Sequence, residues 1–204
     1  MTSDSKDQLD KVFNLIKKFE RDDEGEVHMI ELLGPYLQKR PNHVYAWYLY
    51  GDALRVVGRF EEAIKALKKA LPKAPIHFRG YVCARIGMAY EGSYSPGLAE
   101  KWFQRATEKE HCDQGWAWVF RGGLLARVGK LSEALCAYRE ALKQKNVDKD
   151  EVHLNIGYAL RAMGQYGEAC KHFKKALRIT PDYPEARSAL EGLKGIQQTV
   201  NRAQ

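Results

Sequence analysis

The chain has no run of apolar residues that could cross a bilayer. Its longest stretch without Asp, Glu, Lys or Arg runs only from Pro41 to Gly51, against the roughly 20 residues a spanning helix needs. The opening Met-Thr-Ser-Asp-Ser-Lys-Asp lacks the apolar core of a secretion signal, so the expected location is the cytoplasm, with no membrane partner. There are four cysteines, Cys83, Cys112, Cys136 and Cys170, and no C-x-x-C pair. This speaks against a zinc ribbon and a dithiol redox site and for reduced thiols in or near the core. No P-loop, G-x-G-x-x-G, G-x-S-x-G or H-E-x-x-H is present, so no catalytic residue, cofactor site or metal site is assigned, and the chain reads as a non-enzyme.

What the 204 residues do contain is aromatic and charged. With 11 Tyr, 7 Phe and 4 Trp the composition excludes wholesale disorder, and the length suffices for a buried core. Basic residues outnumber acidic ones by 33 to 26. Residues 1–40 are slightly acidic, so the excess lies in the body of the chain and permits acidic partners.

A repeat organises the rest. Gly51, Gly87, Gly122 and Gly157 recur at intervals of 36, 35 and 35. Twelve residues after each comes an alanine (Ala63, Ala99, Ala134, Ala169), then a large residue (Leu67, Phe103, Tyr138, Phe173), then Ala70, Ala106, Ala141 or Ala176. Trp47, Tyr50, Gly51 and Leu54 fall on one helical face, and Gly58, Gly129 and Gly164 follow as helix stops. Each unit is thus two helices and a turn. Small residues let the helix axes approach, and stacked pairs enclose a core that one pair cannot. In the second unit the turn falls in Glu91 to Gly97, which reads as a turn rather than a phosphate loop.

The pattern resembles the tetratricopeptide repeat family, whose W-x2-L-G-x2-Y, A-x3-F and closing P are nearly spelled out by Trp47, Gly51, Ala63 and Pro75. Gly157, Gly164, Tyr166, Ala169, Phe173, Ala176 and Pro181 match again, while His111 and Asn146 stand where proline is usual and Arg121, beside Trp118, where an apolar residue is. Arg121 is expected to pack its stem and extend its guanidinium outward. The resemblance implies an all-α, right-handed α-solenoid. Residues 1–43 would form an N-terminal helix pair, a degenerate repeat or cap. Four repeats would follow over 44–182 (about 44–79, 80–114, 115–149 and 150–182), then a capping helix and frayed tail over 183–204. The first helix would carry Leu9, Val12, Phe13, Ile16 and Phe19, the second would run from Val27 to Lys39, and Asp182 would cap the last.

In such a stack the first helix of each pair lines a concave face. Residues not used in packing would then form a partner groove: Tyr45, Tyr48, Asp52 and Arg55, then Tyr81, Arg85, Met88 and Glu91, then Trp116, Phe120 and Arg127, and finally Glu151, Asn155, Tyr158 and Arg161. Aromatics and arginine are the residues of binding hot spots, so the expected function is a protein-interaction module gripping a peptide or helix. Some of these rings could instead pack between units, Phe120 first among them. The carboxylate clamp of chaperone-binding relatives needs Lys and Asn where Tyr48 and Asp52 stand, Asn where Arg85 stands, and Lys and Arg where Trp116 and Phe120 stand, so acidic chaperone tails are not expected as ligands. A second reading is RNA or an acidic partner on the basic outer helices (Lys65, Lys68, Lys69, Lys73 and their repeats), and a third is self-assembly. Acidic neighbours such as Glu61 and Glu62 dilute the basic ridge, which disfavours nucleic acid. Oligomeric state stays open. His43, His77 and His111 recur every 34 residues, but units stacked about 10 Å apart cannot share one ion. They are junction residues.

Overall fold

A computed structural model of the chain describes residues 25–108 and 115–202, with side chains to Leu193. The expected first helix and the His111-Cys112-Asp113 cluster lie outside the described residues. Those residues are helical throughout, with no strand among them, and none of the helices is long and apolar enough to cross a membrane. The chain divides into two compact units, Met1–Glu110 and His111–Gln204.

The first unit contains α1 (Gly25–Lys39), α2 (Val44–Val56), α3 (Phe60–Ala70) with a short 3-10 turn at Leu71–Lys73, α4 (Ile76–Gly92) and α5 (Pro96–Ala106). The second contains α6 (Gly115–Arg127), α7 (Leu131–Leu142), α8 (Lys149–Ala162), α9 (Tyr166–Ile179) and α10 (Pro184–Arg202). Packing is most extensive between α2 and α3, α4 and α5, α6 and α7, and α8 and α9. These are the helix pairs of a tetratricopeptide-type stack.

The repeated glycine and the large residue sixteen positions later form one joint. A Cβ on Gly51 would lie 2.6 Å from Leu67 Cγ, on Gly87 3.0 Å from Phe103, and on Gly122 2.6 Å from Tyr138. On Gly157 it would run into the ring of Phe173. Each glycine is therefore a seat for a side chain of the partner helix, and Leu67, Phe103, Tyr138 and Phe173 are all buried in those seats.

The four turns share one hydrogen-bond scheme. The amides of Gly58 and Arg59 donate to the carbonyls of Arg55 and Leu54, and equivalent pairs close the turns at Tyr94, Gly129 and Gly164. This geometry needs a left-handed residue. Glycine supplies it at Gly58, Gly129 and Gly164 (φ 80°, 80° and 74°), but in the second unit Tyr94 does, at φ 57°. Gly92 is instead the last residue of α4, and the ring of Phe60 packs where its side chain would be.

Several local expectations hold. His43 caps α2 by accepting from the Ala46 amide at 3.0 Å, and burial lowers its pKa. Arg121 follows the expectation in its packed stem only: its Nε is buried and its guanidinium lies 5.5 Å above the Trp118 ring. Ala186, Ala189 and Leu193 on α10 are buried as its inner face. Two expectations fail. Asp182 accepts from the Arg187 guanidinium at 3.2 Å, while the Arg187 amide bonds to the Tyr183 carbonyl, so the chain turns into α10 one residue later. Of the thiols, Cys83 is buried and pushed up to about 11 by its surroundings, whereas Cys136 is exposed on α7, at a position that faces no neighbouring helix.

Candidate functional site

In the first unit, α2 and α4 present a continuous set of aromatic rings. Tyr45 stacks on Tyr48 with centroids 6.0 Å apart, Phe78 stands edge-on to Tyr48 at 4.9 Å, and Tyr81 stacks on Phe78 at 5.8 Å. Tyr45 and Tyr81 are each 40% exposed, while Tyr48 is only 9% exposed. The expectation that Tyr48 reaches into the groove is thus corrected: Phe78 covers its ring from the next helix, and it forms the floor. Burial raises the Tyr48 pKa, against the opposing pull of Arg85, which hydrogen-bonds it. Phe78 was not foreseen, although it stands three residues before Tyr81 and so shares its helical face.

Beside these rings lies a charge network. Arg55 Nε donates to Asp52 Oδ1 at 2.7 Å, and Arg85 Nε lies 3.0 Å from Asp52 Oδ2. The Nε–H of Arg85 is not aimed at that oxygen, so it makes an ion pair and no hydrogen bond there. Arg85 Nη1 also reaches Met88 Sδ at 3.2 Å. Asp52 therefore does not present a free negative charge. Two guanidiniums share one carboxylate, so these three side chains together carry one net positive charge beside the exposed Tyr45 and Tyr81.

In the second unit Trp116 and Phe120 meet edge-on at 5.7 Å on α6. With Val119, Val147, Asp148 and Glu151 they line a cavity of about 130 Å³. Phe120 is 37% exposed, so packing takes it up only in part, and less than it does Tyr48. Burial, then Asp148 and Asp150, raise the Glu151 pKa, and a hydrogen bond with Asn155 opposes them. Tyr158 packs on Phe173 at 5.4 Å under the Arg161 guanidinium at 5.0 Å, while Arg127 is exposed near the end of α6.

The basic outer helices are less free than their sequence suggests. Lys69 Nζ lies 4.3 Å above the Trp47 ring, Lys68 sits over Tyr90 and Trp102, and Arg105 covers Trp102 at 5.3 Å. Lys73 bonds to Asn42. Among the described residues no group of three His, Cys, Asp or Glu could hold a metal ion.

Comparison with known proteins bears on the repeats and the fold. A family model described as TPR repeat matches residues 157–190, and one described as tetratricopeptide repeat matches residues 30–75. The chain carries tetratricopeptide repeats. A TPR repeat-containing protein of Methanocaldococcus jannaschii is 21% identical over 165 residues, 81% of this chain and 28% of that protein, so the chain spans little more than a quarter of that relative. The crystallised C-terminal part of a TPR repeat-containing protein from Cytophaga hutchinsonii superposes with a TM-score of 0.75 at 15% identity, covering 93% of this chain and 71% of that one. YrrB, described as a TPR protein with an unusual peptide-binding site, gives a TM-score of 0.62 at 22% identity, covering 88% and 97%. These two likenesses concern the tetratricopeptide fold.

Proposed function

We propose that this chain is a non-enzymatic protein-interaction module whose first unit grips a peptide or helix across α2 and α4. The observation that carries the reading is the exposed pair Tyr45 and Tyr81, held on the buried Tyr48–Phe78 floor beside Arg55, Asp52 and Arg85. Rings already immobilised by their neighbours lose little entropy on binding, and large aromatic contacts with a flanking arginine are typical anchors. The peptide-binding site named for YrrB supports the same class of ligand. The favoured ligand offers an apolar or aromatic anchor to the tyrosines and a carboxylate to the net positive charge around Arg85. A purely acidic chaperone tail is a poor ligand, since the places a carboxylate clamp requires are taken by the buried Tyr48 and by Asp52.

A peptide display selection on the full chain tests this. Selected sequences should share an apolar anchor with an adjacent acidic residue. Tyr45→Ala/Tyr81→Ala should lose them with circular dichroism unchanged, and Arg85→Ala should weaken binding and flatten its salt dependence. Selection of sequences without an apolar anchor, or equal binding by the double variant, refutes the assignment.

A further inference from the structure

On α2, Trp47, Tyr50 and Leu54 lie on the opposite side from Tyr45, Tyr48 and Asp52, as their spacing dictates. There they floor a cleft of about 460 Å³ whose walls include Leu37 of α1 and Lys65 and Lys69 of α3. Its floor is held in place. Trp47 Nε1 donates to the Pro41 carbonyl at 2.8 Å, and Tyr50 stands edge-on to the indole at 6.0 Å.

The repeat register explains why this space is open. One unit further along, Lys68 of α3 crosses to α5, with its amine 5.8 Å from the Trp102 ring and 3.0 Å from the Tyr90 hydroxyl. Gly34 precedes Lys68 by the same 34 residues that separate Pro41 from Pro75, and Ala66 precedes Trp102 by the 36 that separate Gly51 from Gly87. Gly34 and Ala66 thus stand here in place of Lys68 and Trp102, and both line the cleft; Trp47, at the place Cys83 holds one unit on, fills part of the junction with the Lys69 amine 4.3 Å above its ring. Gly34 has a further reason to be small, because it precedes Pro35. Ala66 has none of that kind. Charge completes the picture. Arg59 holds both oxygens of Glu62 at 2.8 and 2.7 Å, which leaves Lys65 and Lys69 to set the sign of the rim.

We propose that this cleft is a second docking site, distinct from the groove on α2 and α4, and that it takes an aromatic side chain from an acidic segment of a partner protein. The ring occupies the space over Ala66 beside Trp47, the Lys69 amine leaves the Trp47 face that it covers in the unbound chain, and the segment's carboxylates meet it and Lys65. The volume is within the range of ligand-binding clefts, about 300–1,000 Å³, and exceeds what one indole needs.

The probe is the capped peptide Glu-Glu-Trp-Glu-Glu, titrated into the isotope-labelled full chain while the Trp47 indole N–H resonance is followed. The expected result is a saturable shift of that resonance. Affinity should fall at least tenfold when the peptide's tryptophan is alanine, and at least tenfold for Lys65→Glu/Lys69→Glu, two exposed positions whose reversal leaves helicity intact. In Tyr45→Ala/Tyr81→Ala the Trp47 shift should saturate as it does in the parent chain, which separates this site from the groove. Ala66→Trp should close the cleft and abolish the shift; if that variant does not fold, the lysine pair decides. No shift at millimolar peptide, equal binding of the alanine peptide, or undiminished binding by the charge-reversed chain overturns the proposal. So does a concentration-dependent dimer that the lysine reversal dissolves, since the cleft would then belong to a second copy.

Discussion

Gly122 and Gly123 are neighbours on α6, yet the same substitution should act on them in opposite directions. Alanine at either position gains about 1 kcal/mol of helix propensity. At Gly123 the nearest atom to the new Cβ is Arg127 Nη1 at 3.5 Å, an ordinary contact with the end of a mobile side chain. Gly123→Ala should therefore stabilise the chain by about 0.5–1 kcal/mol. At Gly122 the new Cβ would stand 2.6 Å from Tyr138 Cε1 and 2.7 Å from its Cδ1. Tyr138 is buried, enough that its phenol is pushed up to about 12, so its ring has no solvent to retreat into. Overpacking of that kind costs about 1–3 kcal/mol. Because the propensity gain is common to both variants, the gap between them is that overpacking cost alone, roughly a 5- to 150-fold difference in the unfolding equilibrium constant. Urea titrations followed by circular dichroism measure the gap. Hydrogen exchange should show Gly122→Ala acting first on α6 and α7, since repeats couple to their neighbours. Tyr138→Leu should cost less in the Gly122→Ala background than in the parent, a coupling a double-mutant cycle reads directly. Equal midpoints for the two variants, or a more stable Gly122→Ala, would refute the idea that these glycines are seats.

Three further outcomes are expected. Tyr94→Gly should raise stability by about 0.5–1 kcal/mol, because the left-handed turn strains tyrosine and not glycine; Tyr94 is 94% exposed and gives up little packing, so a loss in the thermal midpoint would argue against strain there. Asp52→Ala should destabilise the chain by about 1–3 kcal/mol by leaving Arg55 and Arg85 facing each other without their shared carboxylate, with denaturation midpoints as the check. His153 and His172 face each other with Nδ1 atoms 3.2 Å apart. Burial chiefly, then His153, Lys175 and Arg139 against the weaker pull of Glu168, lower His172 to about 4, and burial with Lys175 and Lys149 lowers His153. The folded chain keeps His172 neutral while the unfolded chain takes up a proton below about 6.5, so this contribution is complete above pH 6.5 and fades as the pH falls toward 4. On a ring still reached by solvent the loss is about 1–2 kcal/mol. His172→Phe should lessen the drop in stability between pH 7 and 4.5; an unchanged drop would exclude the pair as its source.

The spacing of Gly51, Gly87, Gly122 and Gly157 was enough to determine the helix pairs, because only a small residue at those positions allows a large one from the partner helix to be buried. The same arithmetic located three of the four turns, where glycine alone adopts a positive φ without strain. For the second unit it gave only the stretch from Glu91 to Gly97. Which residue of that stretch turns left-handed was not marked by a glycine: Gly92 and Gly97 flank the turn, and Tyr94 takes the positive φ. The groove was legible in part. Counting along α2 and α4 found Tyr45, Tyr81, Asp52 and Arg85, since helical periodicity fixes the face on which a residue lies. Periodicity is silent on what the adjacent helix brings to that face, so Phe78 covering Tyr48, and Asp52 shared between Arg55 and Arg85, emerged only from packing. The cleft over Trp47 is the same case in reverse. Gly34 and Ala66 look unremarkable in their own helices, and only their meeting across α2 leaves a space that Lys68 and Trp102 bridge one unit later.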